Sequence, residues 1–441
     1  MRKVNPYWLK SGGYNLFLRL FSLLFGLASF FLLVRLLSKE EFGIWALFTT
    51  VTTLIEMARN GLVQNGLVRS IISSPKEKIP EVITASFVLN GILTIISVLI
   101  LIILSYFLSV EWNSPALKPM FIYYIFTTLF LLPYFHLQFI EQANFKFEGL
   151  FFSTLTRAGF HFSYIAFSFI FTYEITLVSL SQFMMISAIA GTVVVYFITK
   201  KYLLFSKTIN WDIIKELFNY GKYVFGTAIS SQLLRSVDQL MLGSMVTTAS
   251  VASYNVAIRI SNLVEVPTAT IATIIFPKSA ESMAKGGKPE AKRLYEKSVG
   301  AILAVLFPVL IFVLAFPEFI ITLVASKGYL DTVSILQVTI LYSIFTPFGR
   351  QFGTILDSIG KPKITFSIVL LNLVLNIISN YIFINAFGVI GAAYGTLVSC
   401  IIGFLISQII LNQVLRVEFY KPFMYTIVFY KEVYKYIFNR R

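Results

Sequence analysis

The chain has 441 residues, 57% of them hydrophobic and 13% charged, with a mean hydropathy of +0.79 and a formal net charge of +15. A soluble domain of this length cannot hide that much apolar surface, so the composition points to an all-α integral membrane protein that crosses the bilayer many times. A single cysteine, Cys400, and two histidines exclude an internal disulfide and a cysteine-type metal site, and neither metal nor cofactor is expected.

Twelve segments are long and apolar enough to span at about 20 residues each. They fall at 13–37, 42–66, 83–108, 120–141, 149–173 and 175–199 in the first half of the chain. In the second half they fall at 217–246, 252–276, 298–323, 332–358, 364–387 and 389–412. A basic connector, residues 200–216, divides the expected N-terminal six-helix lobe (1–199) from the C-terminal one (217–412). The remaining segment, 413–441, is basic and aromatic. Phe423, Ile427, Tyr430, Tyr434 and Phe438 share a helical face there, as expected of a cytoplasmic helix lying on the inner leaflet.

The first and seventh spans begin a weak internal repeat. An offset of 209 residues sets Gly12 on Gly221, Tyr14 on Tyr223, Trp45 opposite Tyr254 and Glu56 on Glu265, which suggests a duplicated half. Placing the N-terminus inside puts 26 Lys and Arg residues in inside segments and four in outside turns, so both termini are expected in the cytoplasm. That arrangement also accounts for the net charge without nucleic acid, for which no binding motif is present.

Six arginines remain within the spans: Arg19, Arg59, Arg157, Arg235, Arg259 and Arg350. A charge in hydrocarbon costs roughly 2.5–3.5 kcal/mol or more, so each must face a cavity or a partner. Guanidinium stays ionised and presents a planar fork suited to phosphate. Several sit on polar stripes at helical spacing. Arg157 and His161 share one in the fifth span, and Glu56 with Arg59 share one in the second. The seventh span carries Arg235 and Asp238, and the eighth carries Asn255, Arg259 and Glu265. Asn372, Asn376 and Asn380 recur in the eleventh. Two readings stay open for the i,i+3 pairs Glu56–Arg59 and Arg235–Asp238, which also fit mutual neutralisation. The asparagines fit either interhelical contacts or sugar binding, and His136 and His161 fit helix–helix hydrogen bonds as well as ligand contacts. Arginines outnumber the well-buried acids Glu56, Asp238 and Glu265, and a positive interior prefers an anionic substrate. Pro267 is expected to break the eighth span, with Pro133, Pro308 and Pro347 offering similar hinges.

LLSKEEFGIWAL after the first span, DQLMLGSM followed by VASYNVAIRI, IIFPKSAE, and FGVIGAAYGTLVS appear in this order along the chain. Together they resemble the motifs of polysaccharide flippases, the O-antigen and capsule oligosaccharide translocases of the multidrug/oligosaccharidyl-lipid/polysaccharide (MOP) exporter superfamily. The resemblance implies a MATE-like fold, two six-helix lobes related by a pseudo-two-fold axis along the membrane normal, with spans 1, 2, 7 and 8 lining a central cavity. It further implies a non-enzymatic transporter of the bacterial cytoplasmic membrane that moves undecaprenyl-pyrophosphate-linked oligosaccharide from the inner to the outer leaflet. Arg19, Arg59 and Arg259 lie on the spans whose arginines contact pyrophosphate in related lipid II flippases, and are the expected anion site. Arg157, Arg235, Arg350, His161 and Asn376 are further substrate-binding candidates. Glu56, Asp238 and Glu265 are candidates for proton or sodium coupling, and the polysaccharide assembly machinery is a candidate partner. The competing readings are a cation-coupled multidrug exporter of the same superfamily, which would want an acidic cavity, and a membrane glycan polymerase or ligase, which would want a large outside domain.

Overall fold

The computed structural model describes the backbone of residues 6–263 and 265–438 and most of their side chains, and all the regular structure described is helical. In order the helices are α1 (Pro6–Leu36), α2 (Lys39–Ser73), α3 (Ile79–Glu111), α4 (Leu117–Ala143), α5 (Glu148–Ile170), α6 (Leu177–Thr199), α7 (Trp211–Met245) and α8 (Thr248–Asn262). There follow α9 (Glu265–Ala315), α10 (Pro317–Val324), α11 (Val333–Tyr342), α12 (Thr346–Ser358), α13 (Pro362–Phe387), α14 (Val389–Leu415) and α15 (Lys421–Phe438). The chain packs as two compact units, Met1–Gln232 and Leu233–Arg441, so the division falls inside α7.

The lateral organisation of α3 shows why these helices need a bilayer. Ser86, Asn90, Thr94 and Ser97 are buried, while Ile95, Leu99, Ile102, Ile103 and Tyr106 on the same helix are exposed. Polar-in and apolar-out is the reverse of a soluble helix, and such a surface is stable only against lipid. Eight segments among the described residues are long and apolar enough to cross: α1, α3, α4, α6, the second part of α9, the α11–α12 segment, α13 and α14. The helices that fall outside this set include α2, α5, α7 and α8, which carry Glu56 and Arg59, Arg157 and His161, Arg235 and Asp238, and Arg259.

Local chemistry sets the helix ends. Ser38 caps α2 by accepting from the Glu41 N–H at 3.2 Å, and the Glu41 carboxylate accepts the Ser38 N–H at 2.9 Å. Thr247 stands 209 residues further on and caps α8 in the same way, accepting from the Ser250 N–H at 3.2 Å. Beyond the caps the two helices differ. α2 continues unbroken past Glu56 to Ser73, whereas α8 ends at Asn262, one turn before Pro267. Proline has no N–H for the helical ladder and its ring crowds the carbonyl four residues back, so the interruption falls where the sequence places it. Pro347 likewise opens α12 after a short 3-10 turn at Ser343–Phe345, but α4 runs through Pro133 and α9 through Pro308. α9 bends instead at Gly287, whose φ of 65° is disfavoured for any residue with a Cβ.

The tail helix α15 packs one face on α9. The Thr426 hydroxyl donates to the Gly300 carbonyl at 3.1 Å and the Tyr430 hydroxyl to that of Ala304 at 2.6 Å. Both positions advance by one turn together, so α15 runs parallel to α9 with one face packed on it. At its start the Lys292 ammonium meets the Glu418 carboxylate at 2.6 Å. The periodic apolar face was legible in the sequence. Ile427 and Tyr434 of that face stay exposed, at 57% and 63%, and the neighbouring face meets α9 at Gly300, where a Cβ would collide with the Pro422 carbonyl and the Tyr425 Cβ, both 2.7 Å away.

Candidate functional site

Each unit holds a polar centre, and the two have opposite charge. In the first unit Arg59, one turn after Glu56 on α2, is 2% exposed. Its Nη1 donates to the Thr128 carbonyl at 3.0 Å on α4 and to Thr94 Oγ1 at 3.3 Å on α3, so the side chain ties three helices together. Glu56 accepts a 2.8 Å hydrogen bond from the Tyr124 hydroxyl. Both Arg59 and Arg157 lie within the field of the Glu56 carboxylate. The cluster therefore sets two guanidiniums against one carboxylate.

Arg157 is half-buried on α5 and borders a cavity of about 400 Å³. Trp45 and Thr49 from α2, Tyr134 from α4, and Thr154 and His161 from α5 line the same space, which α6 closes. The guanidinium carbon sits 5.3 Å from the Tyr134 ring centre and 5.7 Å from that of Phe135. Such contacts hold a cation by the ring quadrupole. The Trp45 and His161 rings are nearly parallel, with centres 6.0 Å apart and planes 13° apart. His161 Nδ1 is buried without a hydrogen-bond partner. Gly191 on α6 permits this arrangement. A Cβ there would come within 3.1 Å of Arg157 Cβ and 3.0 Å of the Tyr134 ring.

In the second unit the centre is Asp238 on α7, 5% exposed. Its Oδ2 accepts from the Tyr254 hydroxyl at 2.5 Å and the Thr396 hydroxyl at 3.0 Å, and its Oδ1 from Asn380 Nδ2. Behind these, Asn376 Nδ2 reaches Thr396 Oγ1 at 3.1 Å and Ser399 Oγ at 3.3 Å, and its Oδ1 accepts from Asn380 at 3.1 Å. Helices α7, α8, α13 and α14 thus converge on one carboxylate through neutral donors. Gly395 lets α14 approach, since a Cβ there would strike Asn380 Oδ1.

These positions sort the sequence candidates. Arg59, Arg157, His161 and Glu56 come together in the first unit, Asp238 and Asn376 in the second. The donors on Asp238 come from other helices, and Arg235 one turn away is exposed. Arg19, Arg259 and Arg350 are exposed on their units too, Arg259 donating from Nε to Asn255 at 2.9 Å. The side chain of Glu265 lies outside the described residues. His136 is a helix–helix contact, 3.1 Å from Ser86 and 3.2 Å from Asn90. Sequence reading missed Trp45 as a cavity wall, Tyr124 and Tyr134, and Thr396. An aromatic or hydroxyl residue in a membrane helix carries no signal of its own, and only packing assigns these a role.

A family described as polysaccharide biosynthesis protein matches residues 32–334, well over half of the chain. The chain belongs to this family. An uncharacterized membrane protein of Methanocaldococcus jannaschii is 29% identical over 221 residues, 50% of this chain and 43% of that protein. The probable low-salt glycan biosynthesis flippase Agl15 of Haloferax volcanii is 23% identical over 209 residues, 46% of this chain and 43% of the relative. The matches thus span less than half the length of these two curated relatives. Among solved structures, lipid II flippase MurJ in an inward closed conformation superposes with a TM-score of 0.75 at 19% identity, over 95% of this chain and 90% of that one. An inward-facing MATE family multidrug resistance transporter of the MOP superfamily also gives 0.75 at 18% identity, over 88% and 94%. The fold is shared with these two solved structures, and the chain is a multi-pass membrane protein of the polysaccharide biosynthesis family.

Proposed function

We propose that the chain is a flippase that carries an undecaprenyl-pyrophosphate-linked oligosaccharide, the repeat unit of a surface polysaccharide, across a bacterial cytoplasmic membrane. Twelve spans form two six-helix lobes, 1–199 and 217–412, joined by the connector 200–216, and alternate access by rocking. The Lys- and Arg-rich segments face the cytoplasm. The observation that carries this reading is the excess of guanidinium over carboxylate around the cavity of the first unit, in a chain of the polysaccharide biosynthesis family. A pyrophosphate crossing ~30 Å of hydrocarbon keeps its charge and needs fixed cations along a polar passage.

The roles of the arginines differ from the expected trio. Arg59 is held by α3 and α4 and serves the anion site indirectly, by setting the field around Arg157. Arg157 and the exposed Arg19, Arg235, Arg259 and Arg350 are the groups available to substrate, with His161 beside Arg157. Asn376 acts through Asn380 and Thr396 on Asp238 rather than on sugar. Asp238 is the coupling acid, binding a proton or sodium ion during the cycle, with Glu56 and Glu265 as further candidates. The assembly machinery that makes the substrate is the natural neighbour in the membrane.

The test is rescue of surface polysaccharide in a strain lacking the gene, with protein level measured alongside. Rescue by wild type and its loss in an Arg19→Ala/Arg157→Ala/Arg259→Ala variant expressed at normal level is the expected outcome. Full rescue by that variant defeats the anionic substrate. A multidrug exporter is favoured instead if the deletion leaves surface glycan intact and sensitises cells to cationic dyes.

A further inference from the structure

We propose that residues 200–211, which join α6 to α7 within the first unit, form an interfacial anchor that binds anionic phospholipid in the adjoining leaflet. Their apolar side chains enter the headgroup layer and their lysines meet the lipid phosphates. The inference goes beyond transport and does not depend on what the protein carries.

The segment is held against the start of α3. Thr84 Oγ1 accepts from the Ser206 N–H at 2.9 Å, and Asn210 Nδ2 donates to Glu81 Oε2 at 3.1 Å. Asn210 Oδ1 also caps α7, accepting from the Asp212 N–H at 3.1 Å and the Ile213 N–H at 3.3 Å. Tyr202, Leu203 and Ile213 turn inward onto the core of the first unit. Leu204, Phe205, Ile209 and Trp211 turn outward, each about half exposed. An apolar set fixed outward in this way is stable against lipid rather than water. Depth agrees. The Phe205 ring lies 5.4 Å from that of Phe87 on α3, and Ile92 is the first large apolar side chain exposed on that helix. At 1.5 Å per residue Phe87 stands about 7 Å and Thr84 about 12 Å before Ile92, the level of the headgroups, where tryptophan is favoured. Charge supplies the specificity. Residues 200–211 contain Lys200, Lys201 and Lys207 and no acid, and all three lysines are exposed. Of the neighbouring acids, Asp212 meets Lys215 at 3.7 Å and Glu81 is engaged by Asn210. A second copy on this face would set lysines against lysines, whereas an anionic leaflet attracts them.

The experiment is tryptophan quenching on the full-length protein in phosphatidylcholine nanodiscs, titrated with brominated phosphatidylglycerol or, separately, brominated phosphatidylcholine. The chain has four tryptophans, so Trp211 is read as the difference between wild type and Trp211→Phe. Each lysine close to an anionic leaflet is worth roughly fivefold in affinity, so half-quenching of Trp211 should need a mole fraction of phosphatidylglycerol roughly fivefold or more lower than of phosphatidylcholine. The Lys200→Gln/Lys201→Gln/Lys207→Gln variant should bring the two curves together, and the corresponding triple arginine variant should keep them apart. Unchanged melting temperature confirms that the variants are folded, and if the glutamine triple unfolds, Lys207→Gln alone should narrow the gap. Equal quenching by the two lipids in wild type would overturn the proposal, as would a preference that survives loss of the lysines. Absence of quenching by either lipid overturns it too. Trp211 is then in water if acrylamide reaches it, and under another protein surface if acrylamide does not. Both faces of the nanodisc carry the probe lipid and no cargo is present, so neither the orientation of the chain nor the flippase reading enters the result.

Discussion

The polar centres of the two units solve the same problem, charge inside apolar helices, in opposite ways. The first buries Arg59 among backbone and hydroxyl acceptors and keeps Arg157 at the edge of a cavity between aromatic rings. The second buries one carboxylate, Asp238, and surrounds it with neutral donors from three further helices. Helix caps at Ser38 and Thr247 match across the 209-residue offset, while the polar centres of the two units differ. A net positive centre suits an anionic cargo, and a carboxylate held by neutral donors suits a proton or cation. Under the proposed function, the first centre serves the cargo and the second the coupling ion.

The largest expected effect tests the second centre. Asp238→Ala leaves Tyr254, Thr396 and Asn380 donors without their acceptor, at roughly 1–3 kcal/mol for each buried unsatisfied group. Purified protein should lose several degrees of melting temperature and rescue should fail. Asp238→Asn keeps the shape and should fold, yet lose transport and any dependence of the melting temperature on sodium or pH. Normal sodium and pH dependence in Asp238→Asn breaks the comparison at its anionic end.

Next come the two arginines, which should fail for different reasons. Arg59→Ala removes the tie between α2, α3 and α4 and leaves Glu56 without its neighbouring charge, so it should lower the amount of folded protein, at a cost of about 3 kcal/mol or more. Arg157→Gln should fold at normal level and lose about ten- to a hundredfold in transport, the equivalent of a charge-assisted contact at roughly 1.5–3 kcal/mol. Comparable expression with comparable transport loss in both would erase the distinction between a structural and a ligand-facing guanidinium.

A smaller effect is expected at Gly191. Gly191→Ala pushes against Arg157 Cβ and the Tyr134 ring, and should reduce transport a few-fold while costing little stability. A fully active variant would show that Arg157 tolerates displacement.

The smallest effect lies outside both centres. The Lys292 ammonium and the Tyr420 hydroxyl hold the Glu418 carboxyl below the usual carboxylate range. A depressed carboxylate contributes to the folded state above its unfolded value, and that contribution is lost as pH falls through the folded value. Acidification below the usual carboxylate range should therefore loosen α15 from α9. In a Cys400→Ala background, Thr426→Cys, at a position buried against α9, should become more reactive to a thiol reagent under those conditions, and Glu418→Gln should raise its reactivity at neutral pH. No change in either would separate the tail from this ion cluster.

What the amino-acid sequence determined by itself is everything governed by runs and periods. Long apolar stretches dictated helices and a bilayer, because backbone polar groups in lipid must be satisfied within the segment. Ser38, Thr247 and Pro267 dictated where helices start and stop, because capping and the missing proline N–H act within one turn. The six intramembrane arginines stood out because any charge there is costly. Which charge meets which partner was decided only by tertiary structure. Asp238 is satisfied by Tyr254, Asn380 and Thr396, 16 to 158 positions away. Arg59 is held through Nη1 by Thr94 on α3 and the Thr128 carbonyl on α4, and Arg157 lies beside a cavity, although both are arginines on polar stripes. Sequence spacing reports neighbours on one helix. A buried charge chooses its partners across helices, and that choice depends on close approach at positions such as Gly191 and Gly395.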